Sequence, residues 1–108
     1  MAKGMGGMGN LLKQAQEMQA RLAQVQEELR RKTVEASVGG GMVQVKVNGQ
    51  MEFSLIKLDP AVVNPREKEM LEDLILAAVN EGVRRSREMV SEEMGKVTGG
   101  LKIPGFMP

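Results

Sequence analysis

The chain has 108 residues, 42% hydrophobic and 27% charged, which points to one soluble globular domain spanning residues 1–108. It contains no Cys and no His, which excludes disulfides, thiol nucleophiles, imidazole bases and most zinc sites. Net charge is only +1, so nucleic-acid binding cannot rest on bulk basicity and must rest on where the charges sit.

Residues 1–9, MAKGMGGMG, form a Gly/Met-rich segment with little reason to order by itself, and the expectation is a flexible end. No strand precedes these glycines and no Gly-Lys-Ser/Thr follows, so a phosphate-cradling loop is not indicated. Asn10 reads as the N-cap of a helix from about Leu11 to Arg31. Leu11, Ala15, Met18, Leu22, Val25 and Leu29 recur at alternating spacings of four and three, a heptad seam. A helix of ~20 residues is ~30 Å long, more than a small sheet can cover. Part of it should project or pair with another helix, either the chain's own second helix or one across a dimer.

From Thr33 to Leu58 the pattern changes to period two. Val34, Ala36 and Val38 alternate with polar residues, as do Val43, Val45 and Val47, and then Met51, Phe53 and Leu55. Gly39-Gly40-Gly41 and Asn48-Gly49 divide the stretch into three antiparallel strands. A two-residue turn at Gly40-Gly41 pairs Val38 with Val43 and Ala36 with Val45. For the second hairpin, a three-residue loop of Val47, Asn48 and left-handed Gly49 pairs Val45 with Met51 and Val43 with Phe53. That register keeps both apolar faces together. The expected product is a meander with one apolar face and a buried Phe53.

Asp59-Pro60 and Asn64-Pro65 are turn and helix-start signals. A second helix follows from about Pro65 to Met94, with Asn64 as cap and Glu67, Glu69, Glu72 and Asp73 at its positive end. Leu71, Leu74, Ile75, Ala78, Val79 and Gly82 form its first apolar face, the natural cover for the sheet. Gly82 costs ~1 kcal/mol against Ala in a helix interior and suits close approach of a strand or helix. The remainder from Gly95 to Pro108, GKVTGGLKIPGFMP, reads as a mobile tail, with 96–108 as the flexible end. The architecture expected is α+β: a long N-terminal helix, a three-stranded antiparallel meander and a long C-terminal helix.

The carboxylate pairs Glu27-Glu28, Glu72-Asp73 and Glu92-Glu93 are adjacent on helices, so they diverge by about 100° and cannot converge on one substrate atom. No nucleophile–base pair or metal-ligand cluster is present, and the expectation is no enzyme, no cofactor and no small-molecule substrate. No apolar run spans a bilayer and no signal segment opens the chain, which implies a cytoplasmic protein. Cations cluster at Lys3 and Lys13, at Arg30, Arg31 and Lys32, and at Arg84, Arg85 and Arg87. Arrayed on a surface, such residues contact phosphates. Cations at a helix C-terminus are also stabilising on their own, and Glu27, Glu28, Glu88, Glu92 and Glu93 stand near enough in sequence to pair with the arginines. Two phenylalanines are too few for a base-stacking platform, so any nucleic-acid role should be duplex binding.

Five stretches carry a family resemblance: GNLLKQAQEMQ from Gly9 to Gln19, GGGMVQVKVNG from Gly39 to Gly49, LDP from Leu58 to Pro60, EMLEDLILAAVNEGVRRS from Glu69 to Ser86, and the terminal GGLKIPGF. In collinear order over nearly the whole chain, they resemble the YbaB/EbfC family of bacterial nucleoid-associated proteins. The resemblance implies a homodimer of tweezer-like outline that binds double-stranded DNA and alters its conformation, with roles in nucleoid organisation and gene regulation. It also implies that the helices carry the DNA contacts. By matching position the candidates are Lys13, Gln16, Arg21, Arg30 and Arg31 on the first helix and Arg84, Arg85 and Arg87 on the second.

The competing reading is a protein-interaction module, a prefoldin-like jaw or adaptor, in which some of the ten methionines form a plastic apolar surface. A membrane-surface helix ranks third, because the apolar stripe lacks Trp and Phe.

Overall fold

The computed structural model describes residues 2–97, with side chains from 7 to 97. Helix α1 spans Ala2–Arg31, strands β1, β2 and β3 span Thr33–Val38, Val43–Asn48 and Phe53–Leu58, and helix α2 spans Lys68–Val97. The three strands form one antiparallel sheet in the order β1-β2-β3. This is the expected α+β architecture. The expected tail beyond Val97 lies outside the described residues, together with Lys102 and Phe106.

The central strand sets the core. Val43, Val45 and Val47 are buried, and α2 crosses their face. Ala36, Val43, Val45 and Ala78 form the centre, flanked by Val38, Leu58, Leu71, Leu74 and Ile75. Burying each valine contributes about 1.5–3 kcal/mol. Gly82 lies on the same helical face. A Cβ there would meet Val45 Cγ2 at 3.1 Å and Phe53 Cε2 at 3.2 Å, so the missing side chain lets the helix approach the sheet.

The first hairpin has the expected register, with Val38 opposite Val43 and Ala36 opposite Val45. Gly40 and Gly41 carry φ values of 68° and 93°, and Met42 N–H donates to the Gly39 carbonyl. Positive φ at both central residues is what a tight hairpin turn demands.

The second hairpin corrects the expectation. Val45 pairs with Ile56 rather than Met51, and Val43 with Leu58 rather than Phe53. Strand β2 runs on to Asn48, with Val47 opposite Phe53. Because Lys46 then pairs with Leu55, Ser54 is the extra residue of a β-bulge. The bulge resets the alternation. Phe53, Ile56 and Leu58 share the helix side, whereas Leu55 joins Lys46 on the outer face. The apolar surface is therefore not confined to one face, and Phe53, expected to be buried, is 41% exposed.

Gly49 also has a different task from the one expected. Met51, with φ of 62°, takes the left-handed position of this turn. Gly49 instead packs on α1, its N–H donating to the Leu29 carbonyl at 2.8 Å. A Cβ would lie 2.7 Å from Leu29 Cβ and 2.9 Å from that carbonyl oxygen. Gly49→Ala must therefore separate hairpin and helix and is expected to cost about 2–3 kcal/mol. Urea denaturation reads this directly, and an unchanged midpoint would contradict the contact.

Both helix boundaries differ from expectation. Helix α1 begins at Ala2, so Asn10 is an interior residue and not the cap. Once a helix is nucleated each added residue gains a hydrogen bond, and Ala and Met are good formers, which offsets the interspersed glycines. The second helix starts at Lys68 after a 3-10 turn at Pro65–Glu67, and it ends at Val97 rather than Met94. Asn64 does cap that turn, its Oδ1 accepting from Arg66 N–H at 3.0 Å.

Helix α1 grades from exposed to buried. Residues 7–17 are all exposed, with Leu11 at 67%. Met18, Leu22 and Val25 are half-buried, and Leu29 is buried at 4%. The last third runs antiparallel to the end of α2: Lys32 Nζ meets Glu93 at 2.7 Å, and Arg21 and Val25 share a groove with Lys96 and Val97. The rest of α1 projects, giving a molecule 79 Å long and 17–25 Å in its other dimensions.

Candidate nucleic-acid interface

Where α1, the second hairpin and α2 meet, one residue joins them. Asn48, 7% exposed, donates through Nδ2 to the Arg30 carbonyl at 2.9 Å and to Glu52 Oε1 at 2.8 Å. Its Oδ1 accepts from the N–H groups of Gln50 and Glu52, each at 2.9 Å. Its backbone carbonyl accepts from Ser86 Oγ, itself fully buried, at 2.8 Å. The peptide of Arg30 is thus tied to the side chain of Asn48, and the residue after Arg85 to its backbone carbonyl. The arginine clusters at Arg30/Arg31 and Arg84/Arg85, on two different helices, are carried by one frame.

Each cluster is held by a carboxylate one helical turn upstream, as side chains three and four apart share a face. Glu27 Oε1 accepts from Arg30 Nη2 at 2.6 Å and from Arg31 Nη2 at 3.1 Å. Glu81 accepts from Arg84 Nε at 3.1 Å and Arg85 Nε at 3.0 Å. Arg84 is also paired with Glu88. Arg85 Nη1 reaches the free edge of β1, donating to the Glu35 carbonyl at 3.0 Å.

The hydrogen bond from Arg30, before Coulomb attraction, holds the Glu27 carboxyl below its ordinary range. Hydrogen bonds first from Arg84 and then from Arg85 hold Glu81 down at about 2. A depressed carboxylate contributes stability that is fully present above its unfolded value near 4.5 and is lost as pH falls through about 2. Glu81 therefore stays ionised at every physiological pH. A carboxyl carbon NMR titration should place its midpoint near 2, and a midpoint at or above the unfolded 4.5 would show the pairs to be absent in solution.

The eight candidate residues fall into two groups. Arg30, Arg31, Arg84 and Arg85 come together on the frame, but each is ion-paired. Among the described residues, Lys13, Gln16, Arg21 and Arg87 have no ion pair or side-chain hydrogen bond. Lys13 and Gln16 lie on the projecting half of α1, Lys13 some 25 Å along the helix from Arg30. Arg21 lies at the groove against Lys96 and Val97, and Arg87 lines a shallow groove on α2 with Asn80, Val83 and Ser91. The side chain of Lys3 lies outside the described residues.

Of the carboxylates expected near the arginines, Glu27 and Glu88 do engage them. Glu93 binds Lys32 and Lys96 instead. Glu81, which grips two arginines, was not among those expected. The signal for it is a spacing, Glu-x-x-Arg-Arg, which appears at Glu27 and again at Glu81. The hub residues Asn48 and Ser86 carried no such signal, since Asn48 read as an ordinary turn residue.

An open groove of about 570 Å³ runs between β1 and α2, lined by Lys32, Arg84 and Arg85 but also by Glu35, Glu88 and Glu92. Three cations against three carboxylates give it no net pull on a polyanion. The candidate cations without an ion pair, Lys13, Arg21 and Arg87, lie outside it on the two helices.

Among the described residues, no group of three or more potential metal ligands occurs, and no helix is long and apolar enough to cross a membrane. Fold and surface together define the class: a small α+β protein that presents paired arginines on two helices mounted on a common frame. The family follows from comparison. A model of the YbaB/EbfC DNA-binding family matches residues 5–101, and the chain belongs to that family. This is a DNA-binding family and not a class of enzymes.

A nucleoid-associated protein of Moorella thermoacetica is 57% identical, covering 95% of this chain and 99% of its own. Nucleoid-associated protein Teth514_0034 of Thermoanaerobacter sp. is 54% identical, covering 98% and 99%. The crystal structure of uncharacterised protein HP0035 from Helicobacter pylori superposes with a TM-score of 0.63 at 27% identity, over 75% of this chain and 82% of that one.

Proposed function

We propose that the protein is nucleoid-associated, and that it binds duplex DNA as a homodimer through phosphate contacts from its two helices and changes the path of the DNA. The whole chain acts as a single unit in the cytoplasm, with consequences for nucleoid organisation and gene expression. The observation that carries this reading is the pair of arginine clusters held on one frame by Asn48, in a chain that belongs to a DNA-binding family. Guanidinium groups match phosphate geometry and supply affinity with little sequence preference. Lys13 and Gln16 on the projecting half of α1, and Arg21 beside the groove where α1 meets the end of α2, extend the contact surface.

Dimerisation is supported by surface that a lone chain leaves open. Strand β3 is an edge strand, and Phe53, Leu55 and Ile56 on it are 41%, 43% and 53% exposed. An apolar edge of this kind is rarely left uncovered. A twofold axis doubles each basic cluster, which compensates for modest net charge.

Sedimentation of the free protein beside titration of a labelled duplex tests the reading. The expected result is a dimer that binds unrelated duplexes comparably and shortens the end-to-end distance of a doubly labelled one. A dimer that ignores duplex DNA even at low salt would shift the assignment to an adaptor or chaperone.

A further inference from the structure

The pattern Glu-x-x-Arg-Arg occurs twice, at Glu27–Arg31 and at Glu81–Arg85, once on each helix. In both copies one carboxylate bridges two guanidiniums, with the separations already given. A carboxylate and a phosphodiester present similar oxygen pairs to a guanidinium fork. We infer that Glu27 and Glu81 are built-in competitors for DNA phosphate, each occupying the place between two arginines that a backbone phosphate takes on binding. The inference rests on the duplex-binding reading and adds to it what limits that affinity.

Three features support competition. The pairs lie at the surface, with the Glu27 side chain exposed at 48% and that of Glu81 half-buried at 28%, so both carboxylates reach solvent and can swing aside. Exposed ion pairs contribute little to stability and are screened by salt, so exchanging one for phosphate is cheap. The arginine backbones do not need to move. Asn48 holds the Arg30 peptide and Ser86, and Arg85 keeps a second bond to the Glu35 carbonyl. The exchange then involves side-chain rotation alone. Affinity is held low enough for the protein to leave DNA, at a level set by two acidic residues.

The test is a Glu27→Gln/Glu81→Gln double variant of the full chain, titrated on a labelled duplex over a salt series. Wild type and a charge-matched control, Glu72→Gln/Asp73→Asn, are run beside it. Glu72 and Asp73 are exposed on the first half of α2 and pair with no arginine among the described residues. The expected result is binding tighter by about tenfold near 0.1 M salt, with log affinity against log salt steeper by ~1 per released contact. The control should stay within about twofold of wild type. Equal tightening by the control would make the effect one of bulk charge and overturn the inference. Weaker binding by the Glu27/Glu81 variant would show that the carboxylates order the arginines for DNA, and unchanged binding that they do not compete. Either result also overturns it. If wild type itself binds no duplex while remaining folded and dimeric, the duplex reading falls first and the inference with it.

Discussion

Asn48→Ala is expected to destabilise the fold by about 3 kcal/mol, the largest effect of any single polar substitution considered. The amide makes four hydrogen bonds that no neighbouring group can replace. Truncation leaves the Gln50 and Glu52 N–H groups and the Arg30 carbonyl without their partner, in a pocket where the residue is 7% exposed. Each buried unpaired group costs about 1–3 kcal/mol, and partial access of water to the turn reduces the sum. Asn48→Asp is the informative companion. It keeps the acceptor for Gln50 and Glu52 but loses both donors and sets a second carboxylate against Glu52, so it should be nearly as damaging. Ser86→Ala, which removes one bond to the Asn48 carbonyl, should cost only about 1 kcal/mol. Denaturation midpoints rank the three. An Asn48→Ala protein within 0.5 kcal/mol of wild type, roughly the scatter of neutral surface substitutions, would remove the hub from the account.

Replacing Arg84, Arg85 and Arg87 together with Ala should lower duplex affinity on the order of 100-fold near 0.1 M salt, equally across sequences. Each phosphate contact contributes about 0.9 to the slope of log affinity against log salt, so three lost contacts per protomer flatten it by up to ~3 per protomer, or ~5 for a dimer with both copies engaged. All three side chains are exposed, so the fold should tolerate the change. Arg87 weighs more than its neighbours in the free protein because, among the described residues, it has no carboxylate partner. The single Arg87→Ala variant should therefore reproduce a larger share of the loss than Arg85→Ala. Wild-type affinity and slope in the triple variant would move the interface off α2 and onto the projecting half of α1.

The fold was legible wherever one local signal decided it. Gly40-Gly41 between two runs of alternating valines specifies a tight turn and its register, and both are as read. The face Leu71, Leu74, Ile75, Ala78 and Gly82 specifies how α2 covers the sheet. The second hairpin was not legible, because two features of it depend on distant residues. Gly49 is needed for contact with Leu29, twenty positions earlier, and not for its own backbone angles. The bulge at Ser54 puts Leu55 and Ile56 on opposite faces from those that simple alternation assigns. At the candidate site, residue types were readable and pairing was not. The arginines stand out in the sequence, but Glu81 reads as a solvated helix residue until its two partners are seen to share it. That Asn48 carries both clusters follows only from the packing of three elements against one another.

Whether the protein holds duplex DNA through its phosphates is decided by wild-type affinity for a labelled duplex, measured across a salt series. Log affinity should fall steeply and linearly with log salt, with a slope that reports several phosphate contacts per dimer and differs little between unrelated sequences. Affinity that is flat with salt, or absent at the lowest salt in a folded dimer, would contradict it.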